Sequence, residues 1–150
     1  MRKRCNRRPV HPLPPPGLRP KLSRDQILDL ALAHISNLDA IAHGEADEAL
    51  LWQVFGGALT WLRIAERLQL GVEPMREQIG LCERLAERYE RTGRVVFAGP
   101  EYQRAKEHVE VMDELARLVD RHVAVEAADW SEATVNQLAE AAQQRRLAAA

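Results

Sequence analysis

The sequence predicts an all-α fold, a four-to-five-helix antiparallel bundle preceded by an extended basic Pro-rich N-terminal arm. Three observations carry that reading. Of the 150 residues 46% are apolar but only 5% aromatic, so the core must be built from small and aliphatic side chains, the material of packed helices. Apolar residues recur at steps of three and four through the body of the chain. Glycine and proline fall between those stretches and rarely inside them.

The arm comprises residues 1–22 and holds six of the eight prolines. Each proline fixes φ and removes a backbone donor, so neither a helix nor a sheet ladder can propagate there. Charge divides at the same place. The formal net charge is -1, yet Arg2, Lys3, Arg4, Arg7, Arg8, Arg19, Lys21 and Arg24 precede the first acid of the chain. The first 24 residues therefore carry +8, and the remainder, with 13 cations against 22 acids, carries -9. A block of like charge marks a tail that contacts a partner or stays solvated.

A body spanning 23–150 follows as a single domain, with helices expected at 24–43, 45–70, 74–92, 100–124 and 130–147. Ser23 with Gln26 has the form of a capping box, and Ile27, Leu30, Ala31, His34, Leu38 and Ile41 form the apolar stripe of the first helix up to the stop at His43-Gly44. The second helix opens on Glu45, Asp47 and Glu48, which suit a helix N-terminus. Leu50, Val54, Ala58, Trp61, Ala65 and Leu68 share one face of it, and Leu51, Trp52, Phe55, Leu59 and Leu62 cover much of the rest, so it is central. Gly56-Gly57 inside it costs about 1 kcal/mol per residue relative to Ala, which implies close approach of a neighbour or a kink.

Pro74 begins the third helix, whose stripe runs through Met75, Ile79, Cys82, Leu85, Ala86 and Tyr89 to the stop at Thr92-Gly93. Val95, Val96 and Phe97 lie in the loop that follows; such a triplet plugs a gap between helices or, as the alternative, is a protein-partner loop. Tyr102, Ala105, Val109, Met112, Leu115, Ala116, Val119 and Val123 make the fourth helix. Asp129 with Glu132 gives a second capping box, opening a shorter fifth helix.

No residues are assigned to catalysis or to a metal, and no cofactor is expected. Three residues before His34, His43, His108 and His122 stand Ala31, Ala40, Ala105 and Val119, so the Glu-x-x-His ligands of di-iron bundles are missing. No Cys-x-x-Cys, Gly-x-Ser-x-Gly or phosphate-cradling Gly-rich loop occurs. Glu107, Glu110, Asp113 and Glu114 read as a solvated helix face beside Lys106 and Arg117. Cys5 and Cys82 cannot build a disulfide framework and fit a reducing compartment. Met1 to Arg4 imitates a signal-peptide n-region, but prolines replace the apolar segment that should follow, so a cytoplasmic protein without membrane contact is expected.

The arm suits a phosphate backbone or an acidic protein. Six of the eight cations in the first 24 residues are Arg, which favours bidentate contacts, whereas the lack of an aromatic in the arm argues against base-specific readout. The opening Met1-Arg2-Lys3-Arg4, the Pro-rich arm, and the run Arg88-Tyr89-Glu90-Arg91-Thr92-Gly93-Arg94 followed by Gly99-Pro100 resemble small phage and prophage accessory proteins of GC-rich bacteria. That resemblance implies a host-takeover factor or an inhibitor of a defence system, such as an anti-CRISPR, without supplying functional residues. The sequence reading is thus a non-enzymatic interaction protein of the host-cell cytoplasm, whose partner is a host or phage macromolecule and in the first instance a protein. Sequence-nonspecific nucleic-acid binding through the arm is the alternative, and self-pairing into a homodimer through the exposed side of the fourth helix is a further candidate contact.

Overall fold

The computed structural model describes residues 14–150. A 3-10 turn at Pro16–Leu18 leads into five helices: α1 (Arg24–Ala42), α2 (Glu48–Leu68), α3 (Val72–Thr92), α4 (Glu101–Leu118) and α5 (Arg121–Ala149). The fold is an all-α bundle. Within it α2 packs on α3 and α5 and touches α4, while α1 and α3 pack on α4.

Local chemistry sets the helix ends. The Ser23 side chain accepts the Gln26 backbone N–H at 3.1 Å and the Gln26 side chain accepts the Ser23 N–H at 2.9 Å, the reciprocal box the sequence predicts. Asp47 caps α2 by accepting the Leu50 N–H at 2.8 Å. Gly93, at φ 70°, closes α3 with its N–H on the Tyr89 carbonyl at 2.7 Å. At the end of α2 the left-handed cap is Gln69, at φ 55°, where glycine would be the strain-free choice.

Two apolar clusters fill the interior. One joins Trp61, Ile64, Met75, Met112, Leu115 and Val119; the other joins Leu38, Ile41, Leu51, Leu81, Leu85 and Val95. On α3 the buried line is Met75, Gln78, Leu81, Cys82 and Leu85, about one residue out of phase with the predicted stripe. The shift draws in Gln78 and leaves Ala86 and Tyr89 half-exposed.

The boundary between the last two helices differs most from expectation. Helix α4 stops at Leu118, not 124, and α5 starts at Arg121, not 130. Asp129 and Glu132 therefore lie inside α5 and cap nothing. The break is held by the segment before α1. Lys21 Nζ donates to the Leu118 carbonyl at 2.9 Å and to Asp120 Oδ1 at 2.6 Å. The Arg121 N–H reaches the Pro20 carbonyl at 2.8 Å. Because those groups come from the other end of the chain, residues 115–125 contain no local stop signal.

Helix α5 docks on α2 at the paired glycines. Ser131, buried in the interface, donates to the Gly56 carbonyl at 2.6 Å. A Cβ on Gly56 would stand 3.3 Å from Val135 Cγ2, whereas one on Gly57 would meet nothing within 4 Å. Close approach therefore accounts for Gly56 alone, and nothing in the structure explains Gly57.

Candidate functional site

A cleft of about 480 Å³ lies between the first half of α2, the second half of α3 and the last third of α5. Leu51, Trp52 and Phe55 come from α2, Cys82, Ala86 and Tyr89 from α3, and Leu138 and Ala142 from α5. The geometry follows from side-chain size. Helix α5 is seated against α2 at Ser131 and Gly56, but beyond Val135 its residues on the cleft are Leu138, Ala142, Arg145, Arg146 and Ala149, and the two alanines are too short to fill the space between α2 and α3. The two aromatic rings of α2 meet edge to face, 6.2 Å apart at 72°.

Charge gathers at the rim. Arg146 donates to Glu48 Oε1 at 2.9 Å and the Tyr89 hydroxyl donates to Glu48 Oε2 at 3.3 Å, tying the end of α5 to the start of α2. The Arg146 hydrogen bond holds the Glu48 carboxyl below the usual carboxylate range. Glu83, Glu90 and Arg145 complete the rim. An apolar, aromatic floor inside a rim of mixed charge has the composition of a recognition site for an amphipathic partner.

The one thiol in the cleft wall is not a nucleophile. Burial pushes the Cys82 thiol up to about 12, so at neutral pH it is protonated. Behind it lies a polar chain through the α3–α4 interface: Gln78 Nε2 stands 4.0 Å from Cys82 Sγ, Gln78 Oε1 lies 2.7 Å from His108 Nδ1, and His108 Nε2 lies 3.3 Å from Glu77 Oε2. Gln78 and His108 are both buried and satisfy each other, the usual condition for polar groups inside a core. Among the described residues no group of three or more His, Cys, Asp or Glu is placed to hold a metal ion.

The residues singled out from sequence are placed apart from this cleft. Val95 is fully buried and its loop is clamped: Arg88 donates to the Val96 carbonyl at 2.6 Å, and Phe97 lies 5.6 Å from the Tyr102 ring. The triplet plugs the bundle end, and the partner-loop reading is corrected for Val95, whose side chain no partner can reach. Of the basic residues, Arg2, Lys3, Arg4, Arg7 and Arg8 lie outside the described residues. Arg19 and Lys21 both approach Asp120, at 4.0 and 2.6 Å, and Arg24 opens α1. Arg88, part of the quoted Arg88–Arg94 run, makes a bidentate pair with Glu101 at 2.9 and 3.1 Å, so that residue is a structural tie. The cleft has no signature in any single segment, because its signal is a deficit: Ala142 and Ala149 of the last helix share the lining with the large Trp52 and Phe55 of the second.

No helix among the described residues is long and apolar enough to cross a membrane. Comparison with known protein families, curated proteins and solved structures finds no match to this chain.

Proposed function

We propose that this chain is a non-enzymatic helical interaction protein that receives an apolar or amphipathic segment of a macromolecular partner, in the first instance a protein, in the α2/α3/α5 cleft. The observation that carries the reading is the cleft: an unfilled apolar floor with two aromatic rings, rimmed by Glu48, Glu83, Glu90, Arg145 and Arg146. Aromatic anchors inside a charged rim are what dominates binding at protein interfaces. Its only thiol is buried and protonated and its best-placed carboxylate is engaged by Arg146, so the wall offers recognition in place of bond-making chemistry. The proposed setting is the cytoplasm of a bacterial host cell, in keeping with the phage-like features of the sequence.

Nucleic-acid binding through the arm is the weaker reading. Two of the eight cations in the first 24 residues, Arg19 and Lys21, already face Asp120, which reduces the charge free to displace counterions from a phosphate backbone.

The test is a cleft-filling substitution, Ala142→Trp. Ala142 is half-buried on the α5 wall, so a large side chain enters empty space and leaves the two core clusters untouched. The wild type is expected to bind the apolar fluorescent dye anilinonaphthalene sulfonate at one site, with the variant melting normally and losing that site. Dye binding unchanged in a normally melting Ala142→Trp protein would refute the cleft as the binding surface.

A further inference from the structure

Helix α1 rests mainly on α4, and of its 19 residues only Leu38 and Ile41, both in the second half, are fully buried. In the first half Ile27 and Leu30 are partly buried against the cluster that holds Trp61. The link from α1 to α2 is polar. The Trp61 indole N–H donates to His34 Nε2 at 3.1 Å, with the two rings edge to face at 5.8 Å and 70°. Among the described residues no other side-chain hydrogen bond joins these two helices.

An indole N–H can only donate, so Nε2 of His34 carries no hydrogen and the neutral ring holds its proton on Nδ1. That Nδ1 is buried and has no hydrogen-bond partner among the described residues. Buried polar atoms are nearly always satisfied, and this ring is tolerated in one tautomer and one protonation state. A second proton can enter only at Nε2, where its hydrogen faces the indole N–H. Two donors then stand 3.1 Å apart, and the bond between α1 and α2 is lost. Turning the ring over does not restore it, because both nitrogens of an imidazolium donate.

The groups around the ring set the direction of the response. One turn to either side on α1 stand Leu30, Ala31, Asn37 and Leu38, none of them charged. Asp29 and Asp39, five residues off, lie on the far side of the helix. Helix α2 presents Trp61, with uncharged Gly57, Ala58, Ile64 and Ala65 a turn away. Helix α4 presents Asp113. Burial lowers the His34 ring from 6.5 and outweighs the opposing pull of that carboxylate. Glu110 and Arg117, a turn to either side of Asp113, are of opposite sign, and Lys106 is engaged over the Tyr102 ring.

We infer that His34 is a proton-operated latch: neutral, it fastens α1 to α2 through Trp61; protonated, it lets Trp61 go and turns toward Asp113, so that α1 stays on α4 and parts from α2. The release uncovers the Trp61 face of the interior and leaves the packing of α2 on α3 and α5 in place. Acid favours the released state because the ring there regains solvent around its charge. The released fraction therefore grows by up to about tenfold per pH unit below about 6.5, until the fastened ring itself takes up a proton. The latch is independent of the cleft, to whose lining α1 contributes no residue.

The test is hydrogen exchange of the Trp61 indole N–H in the full chain, followed by NMR from about pH 8 to about pH 5. Each rate is divided by that of free tryptophan amide at the same pH, which removes the intrinsic pH dependence. Protection is expected to be level above about pH 7 and to fall by up to about tenfold per unit below about 6.5. The backbone amides of Leu81 and Leu85 on α3 should keep theirs. His34→Gln, whose side-chain carbonyl accepts from the indole without titrating, should hold level protection throughout. In the wild type at about pH 8, long-range proton–nitrogen spectra of the His34 ring should place the hydrogen on Nδ1. Level protection in the wild type, the same fall in His34→Gln, a parallel loss at Leu81 and Leu85, or a hydrogen on Nε2 would each overturn the inference.

Discussion

Substituting the paired glycines of α2 one at a time tests the docking of α5, and with it the roof of the cleft. Both Gly56 and Gly57 lie inside a helix, so replacing either by Ala removes about 0.8–1 kcal/mol of helix-propensity cost. At Gly57 nothing opposes that gain, because a Cβ there meets no atom within 4 Å. Gly57→Ala is expected to stabilise by about 0.5–1 kcal/mol, a rise in Tm of roughly 2–4 °C for a chain of this size. At Gly56 the new methyl lies 3.3 Å from Val135 Cγ2 and 3.7 Å from Ser131 Oγ. Relieving that contact means moving α5 outward by a few tenths of an ångström and stretching the 2.6 Å Ser131 hydrogen bond. Overpacking costs about 1–3 kcal/mol and the strained hydrogen bond up to about 1 more, so Gly56→Ala is expected to be destabilising by about 1 kcal/mol net. The assay is thermal unfolding followed by far-ultraviolet circular dichroism, with Gly56→Ala/Val135→Ala as the coupled double variant. Equal stabilisation by the two alanines would refute the seating of α5 on α2 and remove the cleft with it.

Further outcomes follow from the same contacts. Gln69→Gly at the left-handed cap of α2 should stabilise by about 0.5–1 kcal/mol in urea unfolding, whereas Gly71→Ala, which aims a Cβ 2.8 Å from Val111 Cγ1 at positive φ, should cost about 2 kcal/mol or more. Arg88→Ala should cost about 1.5–3 kcal/mol, because it leaves the largely buried Glu101 carboxylate with only Arg84, at 3.3 Å, and the Ala98 N–H, at 2.8 Å. Burial alone would raise the Glu101 carboxyl, but the Arg88 hydrogen bonds and the Ala98 N–H outweigh it and lower it from 4.5. Its contribution is therefore present above about pH 4.5 and lost as pH falls through the lower folded value; urea titrations of wild type and Glu101→Gln should converge in acid. Burial likewise lowers the folded His34 from 6.5 against the opposing pull of Asp113, so stability should fall as pH drops below about 6.5. In that state the Trp61 indole N–H, 3.1 Å from His34 Nε2, loses its acceptor, and the decline should be absent in His34→Gln.

What the sequence made legible is what local chemistry controls. Ser23 with Gln26, Asp47, Gly93 and the apolar steps of α1 and α2 each act within one or two turns, and the bundle reads directly from them. The corner at Val119–Asp120 was invisible, since Lys21 and Pro20 supply its hydrogen bonds from about 100 residues away. Asp129 and Glu132 form a capping pattern that a helix interior tolerates because both side chains are exposed. On α3 the burial of Gln78 has no local signal, because its partner, His108, is on another helix. The cleft depends on the mismatch between the alanines of α5 and the aromatic pair of α2, a relation between elements that no single segment displays.

The most direct test of the proposed function is site-specific photo-crosslinking in bacterial cells from a benzoylphenylalanine placed at Leu138, which is 39% exposed and lines the cleft. One discrete adduct is expected, lost when Ala142→Trp fills the cleft. An adduct that survives Ala142→Trp unchanged, or no adduct at all, would contradict recognition through the cleft.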